Sequence, residues 1–156
     1  MRLALYQPDI PQNTGTLLRT AACLGIALDV IGPTGFDMTD RALKRAGLDY
    51  LDHADLTRHE SFDAFEHWRR ACPPPPRLVL ISAHAPIAHL EFAYRPTDIL
   101  MLGRESAGVP DRVLAVADAA IRIPLSPGLR SLNVAIAGAI VLAEALRQTS
   151  GFPRAR

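Results

Sequence analysis

Ile99-Leu100-Met101-Leu102-Gly103-Arg104-Glu105-Ser106-Ala107-Gly108-Val109-Pro110 runs from an unbroken apolar tetrapeptide into a polar loop bounded by glycines. Four consecutive apolar residues without alternation fit a strand covered on both faces, the pattern of a parallel sheet. Leu78-Val79-Leu80-Ile81 is a second such run, and Leu3 to Tyr6, Leu28-Asp29-Val30-Ile31 and Ala119 to Ile123 read as further strands. Helical spacing lies between them. Leu17, Leu18, Ala21, Ala22 and Leu24 follow an expected N-cap at Asn13, and Gly25 ends that helix. Thr39 or Asp40 caps a short helix to Ala46, and Ser61 caps another with Phe62, Phe65 and Trp68 on one side. A helix from Asp111 to Ala117 and a long one from about Asn133 to Thr149 complete the series. This alternation predicts an α/β fold, a mostly parallel sheet with helices on both faces.

A chain of 156 residues suits one domain, expected over 1–151, with 152–156 a short tail that frays. Pro73-Pro74-Pro75-Pro76 lacks amide donors and reads as a stiff connector between two halves of that domain. Cys23 and Cys72 form no Cys-x-x-Cys pair, so inert thiols in a reducing cytoplasm are expected. The opening residues lack the apolar core of a signal peptide, and the most apolar stretch, Val134 to Ala143, is too short to span a bilayer. A soluble, cytoplasmic protein without membrane contact is the expectation. Net charge is +1, which gives no global argument for a nucleic-acid partner. The local basic clusters Arg41, Lys44 and Arg45, Arg58 with His59, and Arg69 with Arg70 serve equally as solvated helix faces.

Val134 to Ala143 has no polar side, so the last helix is expected to be buried nearly all round. One sheet face rarely hides a whole helix in a domain this small. A homodimer interface would cover the remainder, and Ala135, Ala137, Gly138 and Ala139 would permit close packing; a central helix in a monomer is the alternative.

Three segments stand at predicted strand ends, where open α/β sheets place their ligand crevices. They are Gln12-Asn13-Thr14-Gly15-Thr16-Leu17-Leu18-Arg19, the loop Gly103 to Pro110, and Ile123-Pro124-Leu125 with Arg130-Ser131-Leu132-Asn133. Each also has a plain structural use: Asn13 and Gly15 can cap and turn, Arg19 can pair with a surface carboxylate, and Ser131 or Asn133 can cap the last helix. The five histidines show no His-x-x-x-His spacing, so no metal site is expected. Ser131 has no nucleophile-elbow context, against a hydrolase, and no Gly-x-Gly-x-x-Gly follows the first strand, against a dinucleotide oxidoreductase.

Taken together, Asn-x-Gly-x-x-x-Arg, Gly-x-Glu-x-x-Gly-x-Pro, and Ile-Pro followed by Arg-Ser-Leu-Asn-Val-Ala resemble, in order and spacing, the SpoU branch of the SPOUT RNA methyltransferases. The resemblance covers essentially the whole chain. Tyr6-Gln7-Pro8-Asp9-Ile10-Pro11 and Arg45-Ala46-Gly47-Leu48-Asp49-Tyr50 look like its minimal members, which 2′-O-methylate the wobble nucleotide, cytidine or modified uridine, of certain leucine tRNAs. It implies a C-terminal trefoil knot, S-adenosylmethionine as cofactor without metal, and tRNA as partner. It also implies a homodimer whose active site is shared between subunits. By motif position Ile81, Gly103, Ile123, Ser131 and Leu132 would line the cofactor pocket, and Glu105 would anchor the second loop against it. Arg19 would be catalytic, reaching the other subunit's site, with Asn133 positioning the substrate. Asn13, Arg41, Lys44, Arg45 and Arg58 would contact RNA. Two positions depart from the family pattern: Ala135 stands for a frequent second Asn, and Ala143 for an aromatic residue. Another tRNA or ribosomal RNA position, or a catalytically silent RNA-binding protein that keeps the fold, are the rival readings.

Overall fold

The two unbroken apolar runs lie side by side within a parallel sheet. The structure, a computed structural model, describes residues 1–39, 50 and 53–154. In chain order its elements are β1 (Arg2–Tyr6), α1 (Pro11–Leu24), β2 (Ala27–Ile31), β3 (Leu56–His59), α2 (Phe62–Ala71), β4 (Leu78–Ile81), β5 (Ile87–Ala88), β6 (Ile99–Leu102), α3 (Asp111–Leu114), β7 (Ala119–Arg122) and α4 (Val134–Thr149). The strands line up as β3-β2-β1-β6-β4-β7-β5, and each described pairing is parallel. The helix expected to end at Ala46 lies outside the described residues.

Side chains alternate across a strand, and the core divides accordingly. Leu3, Leu5, Leu28, Val30, Val79, Leu100, Leu102 and Ile121 pack on one face with Leu17, Leu18 and Ala21 of α1 and Ala135, Val141, Leu142, Ala145 and Leu146 of α4. Ala4, Tyr6, Ile31, Leu78, Leu80, Ile99 and Met101 pack on the other with Phe62 and Phe65 of α2 and Val113 of α3. Gly138 brings α4 close: a Cβ there would stand 2.7 Å from Leu102 Cδ1 and 2.8 Å from Leu17 Cδ2. Ala135 is buried in the same cluster, so a polar side chain at this departure from the family pattern would meet apolar neighbours.

Asp29 is the one charged position within the otherwise apolar β2, fully buried and held from two neighbouring strands. Arg2 donates to it through Nε (2.7 Å) and Nη2 (3.1 Å), and His59 Nε2 lies 2.8 Å from Oδ1. His59 in turn meets the ring of Phe65 edge-on at 5.2 Å. The carboxylate thereby ties β1, β2 and β3 to the α2 face.

Several boundaries differ from the sequence expectations for identifiable reasons. α1 begins at Pro11, with Ile10 at the N-cap and no side-chain cap; proline favours the first helical position, and Asn13 lies inside the helix instead of capping it. Gly25 does end that helix, at φ 65° in the left-handed region. α3 stops at Leu114, and the chain to Ala117 tightens through shorter-range bonds from Val116 to Val113 and Ala117 to Leu114, each 3.3 Å. β3 and β5 carried no apolar run. Among the described residues β3 is an edge strand paired with β2, and β5 is a two-residue strand paired with β7. The proline run joins α2 to β4, and Arg69 Nη1 donates to the Pro76 carbonyl.

Within the chain α4 is not buried all round. Ile136 (51% exposed), Ile140 (38% exposed), Ala143 and Arg147 form a stripe facing away from the sheet, at the i, i+4, i+7, i+11 spacing of one helix face. Ala143, the second departure, belongs to that stripe. The approach to α4 is also unusual. β7 fills the place between β4 and β5, two strands laid down before it, and residues 123–133 then return across the sheet to start α4 over β6 and α1.

Asp29→Ala removes an acceptor shared by Arg2 and His59, whose side chain is almost fully buried. It is expected to cost on the order of 3 kcal/mol, a fall in thermal midpoint of roughly 6–12 °C, measured by calorimetry. A change within about 1 °C would show that the network does not hold β1 to β3 together.

Candidate functional site

β1 and β6 are neighbours, yet the chain leaves β1 toward β2 on one side and reaches β6 from β5 at the far edge of the other. Connections that diverge in this way open a crevice at the carboxyl ends of the strands. The segments after β1 and β6 flank that crevice, and 123–133 arrives beside them at the start of α4.

One hydrogen-bonded chain joins all three. Asn133 caps α4, its Oδ1 accepting from the backbone N–H groups of Ala135 (2.8 Å) and Ile136 (3.3 Å). Its Nδ2 donates to Asn13 Oδ1 (2.9 Å), and Asn13 Nδ2 donates to Glu105 Oε1 (3.2 Å). Glu105 Oε2 accepts from the backbone N–H of Asp9 (3.1 Å), and the Glu105 N–H donates back to Asp9 Oδ1 (3.1 Å). The Ser106 hydroxyl donates to the other Asp9 oxygen. The helix cap fixes which end of the Asn133 amide is the donor, and that fixes the orientation of Asn13. The alternative cap, Ser131, is exposed and caps nothing.

The carboxyls at the end of this chain titrate apart. Asp9 is held down to about 2 by hydrogen bonding with Glu105 and Ser106, whereas burial, reinforced by Asp9, pushes Glu105 above the ordinary glutamate range. Their effects on stability are opposite. The Asp9 shift contributes stability above 3.8 that is lost as pH falls toward 2, and the Glu105 shift favours the fold where that carboxyl is protonated. A shallow open groove of about 320 Å³ lies here, lined by Asp9, Ile10, Glu105 and Ser106. Beside it, Arg104 Nε is buried without a hydrogen-bond partner among the described residues, 3.8 Å from Asp9 Oδ2.

Among the expected cofactor residues, three converge. β6, β4 and β7 are adjacent, with Ile81 level with Leu102 and Ile121, so Ile81, Gly103 and Ile123 occupy one rim of the sheet. A Cβ at Gly103 would stand 2.7 Å from the Gly108 carbonyl carbon, within the loop closed by the paired N–H···O bonds of Arg104 and Gly108. Ser131 and Leu132 lie exposed on the return segment. Within 124–132 the described backbone pairing is that of Leu129 N–H with the Ser126 carbonyl (3.2 Å), leaving other amides and carbonyls of this segment open to a ligand.

Arg19 stands apart. Six residues beyond Asn13, it lies about 9 Å along α1 and about 120° round it. It is exposed, with Cζ 4.5 Å from the Tyr50 ring centroid and Nη2 donating to the Tyr50 hydroxyl (3.2 Å). The RNA contact expected of Asn13 is unavailable to its side chain, which is 9% exposed and engaged at both ends. Arg58 is exposed on the edge strand β3, and Arg41, Lys44 and Arg45 lie outside the described residues. Sequence reasoning missed Asp9 and Ser106. The available signal for Asp9 was Pro8-Asp9-Ile10-Pro11, a rigid polar corner directly after a strand. Among the described residues no group of three or more metal-ligating side chains gathers, and no helix is long and apolar enough to cross a membrane.

The SpoU rRNA Methylase family model matches residues 1–143. A protein of Ancylobacter novellus named tRNA (cytidine(34)-2′-O)-methyltransferase is 57% identical over 154 residues, covering 99% of this chain and 96% of its own. A solved structure described as giving insight into the 2-OH methylation of C/U34 on tRNA is 45% identical with a TM-score of 0.87, covering 96% of each chain. The SpoU methyltransferase AviRb of Streptomyces viridochromogenes, solved with AdoMet, is 26% identical with a TM-score of 0.82; the match covers 95% of this chain and 60% of that one.

Asn13→Asp keeps the acceptor for Asn133 but replaces the donor to Glu105 with a second carboxylate. The expected loss is on the order of 2 kcal/mol near neutral pH, narrowing below about pH 4, where protonation restores a donor. Denaturant unfolding across that pH range checks it, and a deficit that does not change with pH would refute the coupling.

Proposed function

Because the chain belongs to the SpoU rRNA methylase family, we propose that it is a tRNA (cytidine(34)-2′-O)-methyltransferase using S-adenosylmethionine. The observation that carries the reading is the likeness, over nearly its full length, to the Ancylobacter novellus protein of that name. The substrates are the wobble cytidine and the corresponding uridine, in leucine isoacceptors, and tRNA locates the reaction in the cytoplasm. A ribosomal RNA substrate is less favoured, since that relative and the structure concerned with C/U34 both act on tRNA by name.

The residues fit the cofactor. Ile81 and Ile123 give an apolar rim beside Gly103, and the open backbone groups of 124–132 suit the polar edge of an adenine. Ser131 and Leu132 close the pocket from the return segment, and Glu105 fixes the second loop through Asn13 and Asp9. The passage of 123–133 back across the sheet supports a C-terminal knot, in which the last helix would thread a loop. When bound, S-adenosylmethionine supplies an electrophilic methyl group on a sulfonium sulfur.

The reaction forms a bond from the ribose 2′-oxygen to the methyl carbon as the carbon–sulfur bond breaks, and the hydroxyl proton passes to a neighbouring phosphate oxygen. Arg19 does not serve as base, because a guanidinium stays protonated up to a pKa above about 12. It holds that phosphate and stabilises charge growing on the 2′-oxygen. Asn133 holds the start of α4, and so the return segment, against α1 while the substrate is positioned. Arg41, Lys44, Arg45 and Arg58 contribute phosphate contacts.

The partner is a second copy. The exposed stripe of Ile136 and Ile140, with Leu132, Leu129 and Ile10 also exposed, forms the homodimer interface. In the dimer, Arg19 of one protomer acts at the cofactor site of the other, which accounts for its distance from the three-loop chain.

Purified protein incubated with S-adenosylmethionine and total tRNA is expected to yield a 2′-O-methyl nucleoside at the wobble position, read by nucleoside mass spectrometry of isolated tRNAs. No new 2′-O-methyl nucleoside would falsify the enzymatic reading, and one located elsewhere would correct the substrate. Arg19→Ala is expected to lower kcat by roughly 10²- to 10³-fold while cofactor binding by calorimetry is retained. Ile140→Asp should give monomers by light scattering together with loss of methylation; a fully active monomer would sink the shared site.

A further inference from the structure

We infer that Tyr50 is a positioning residue for methyl transfer, holding the Arg19 guanidinium against its ring so that the in-plane donors face the reacting hydroxyl and its phosphate. The inference rests on the role proposed for Arg19. Two contacts made by the same pair of side chains support it: Cζ lies 4.5 Å from the ring centroid, and Nη2 donates to the phenolic oxygen over 3.2 Å.

A long exposed side chain samples many rotamers, and a charge meant to meet a transition state in one place loses effect as it spreads. Contact with the ring restricts where the guanidinium carbon sits. The phenolic acceptor restricts its rotation, because it takes one particular terminal nitrogen. Together the two contacts fix both the place and the orientation of a forked donor group of the kind that meets phosphate or alkoxide oxygens. Lysine in place of Arg19 would lack that fork. The two residues are 31 apart in sequence, so the pairing also sets Tyr50 beside α1. A side chain kept only as an anchor would reveal itself in stability, whereas one that aims Arg19 reveals itself in kcat.

The test uses the full chain, S-adenosylmethionine and total tRNA, with kcat, the KM for S-adenosylmethionine and the thermal midpoint measured for each variant. Tyr50→Ala is expected to lower kcat by about 100-fold, with KM for S-adenosylmethionine and the midpoint unchanged. Tyr50→Phe keeps the ring but not the acceptor, so it should lose roughly tenfold, the factor carried by one hydrogen bond to a charged group. Because Tyr50 acts through Arg19, the double variant Arg19→Ala/Tyr50→Ala should be no slower than Arg19→Ala alone. Wild-type kcat in Tyr50→Ala overturns the inference, as does a double variant slower by the full Tyr50 factor. Should Tyr50→Ala lower the midpoint, Tyr50→Phe decides: reduced kcat at an unchanged midpoint supports the inference, and unchanged kcat overturns it. Full activity of Arg19→Ala strikes the underlying role of Arg19, whereas an impaired Arg19→Ala beside an unimpaired Tyr50→Ala removes the inference alone.

Discussion

Asn133 spends its side-chain oxygen on the first turn of α4, which leaves its amide nitrogen one use, as a donor to Asn13. From that single constraint the polarity of the whole chain follows. Asn13 must present its oxygen to Asn133 and its nitrogen to Glu105, and Glu105 must accept. An apolar contact would tolerate a slip of the return segment along α1, but a bond that needs a donor facing an acceptor does not. The position of 123–133, and of the strand-end crevice it overlies, therefore depends on an interaction between residues 120 apart in sequence.

The sheet explains why such a lock is needed at this place. β7 enters between strands laid down earlier, and the chain must then travel back over the sheet to reach the α1 face. Hardly any backbone bond holds the return segment on the way, and most of its residues are exposed. Gly138 lets α4 settle against Leu102 and Leu17, so packing fixes the helix body while Asn133 fixes its entry. The apolar core places α4, and the polar chain orients what precedes it.

The central strands were legible because Leu78–Ile81 and Ile99–Leu102 are covered on both faces and show it as unbroken apolar runs. Gly25 and Ser61 announced a helix end and a helix start through local chemistry alone. β3 and β5 did not announce themselves, since a short edge strand is specified by its neighbour's hydrogen bonds more than by its own side chains. Asn13 was misread as a cap for a related reason: spacing along one segment cannot show that Glu105 and Asn133 come to meet it. Within the candidate site, motif order brought Ile81, Gly103, Glu105, Ile123 and Asn133 into view. Asp9, whose partners lie 96 and 97 residues away, became visible only with the fold. Ala135 shows the reverse case, a departure in sequence that the buried face of α4 explains.

The roles proposed for Arg19 and for the three loops raise a question of placement, since the arginine stands apart from the loops assigned to the cofactor. Asn13 and Arg19 share one helix, so a rigid element sets their separation and no loop movement closes it. The face of α1 carrying Asn13 is committed to the lock, and a guanidinium placed there would compete with Asn13 for Glu105. Setting Arg19 elsewhere on the helix avoids that competition and leaves it within reach of a second copy. The apolar stripe of α4 is where such a copy would sit. In the proposed dimer, symmetry would supply what the single domain does not arrange internally, each protomer offering the other the arginine that its own lock excludes.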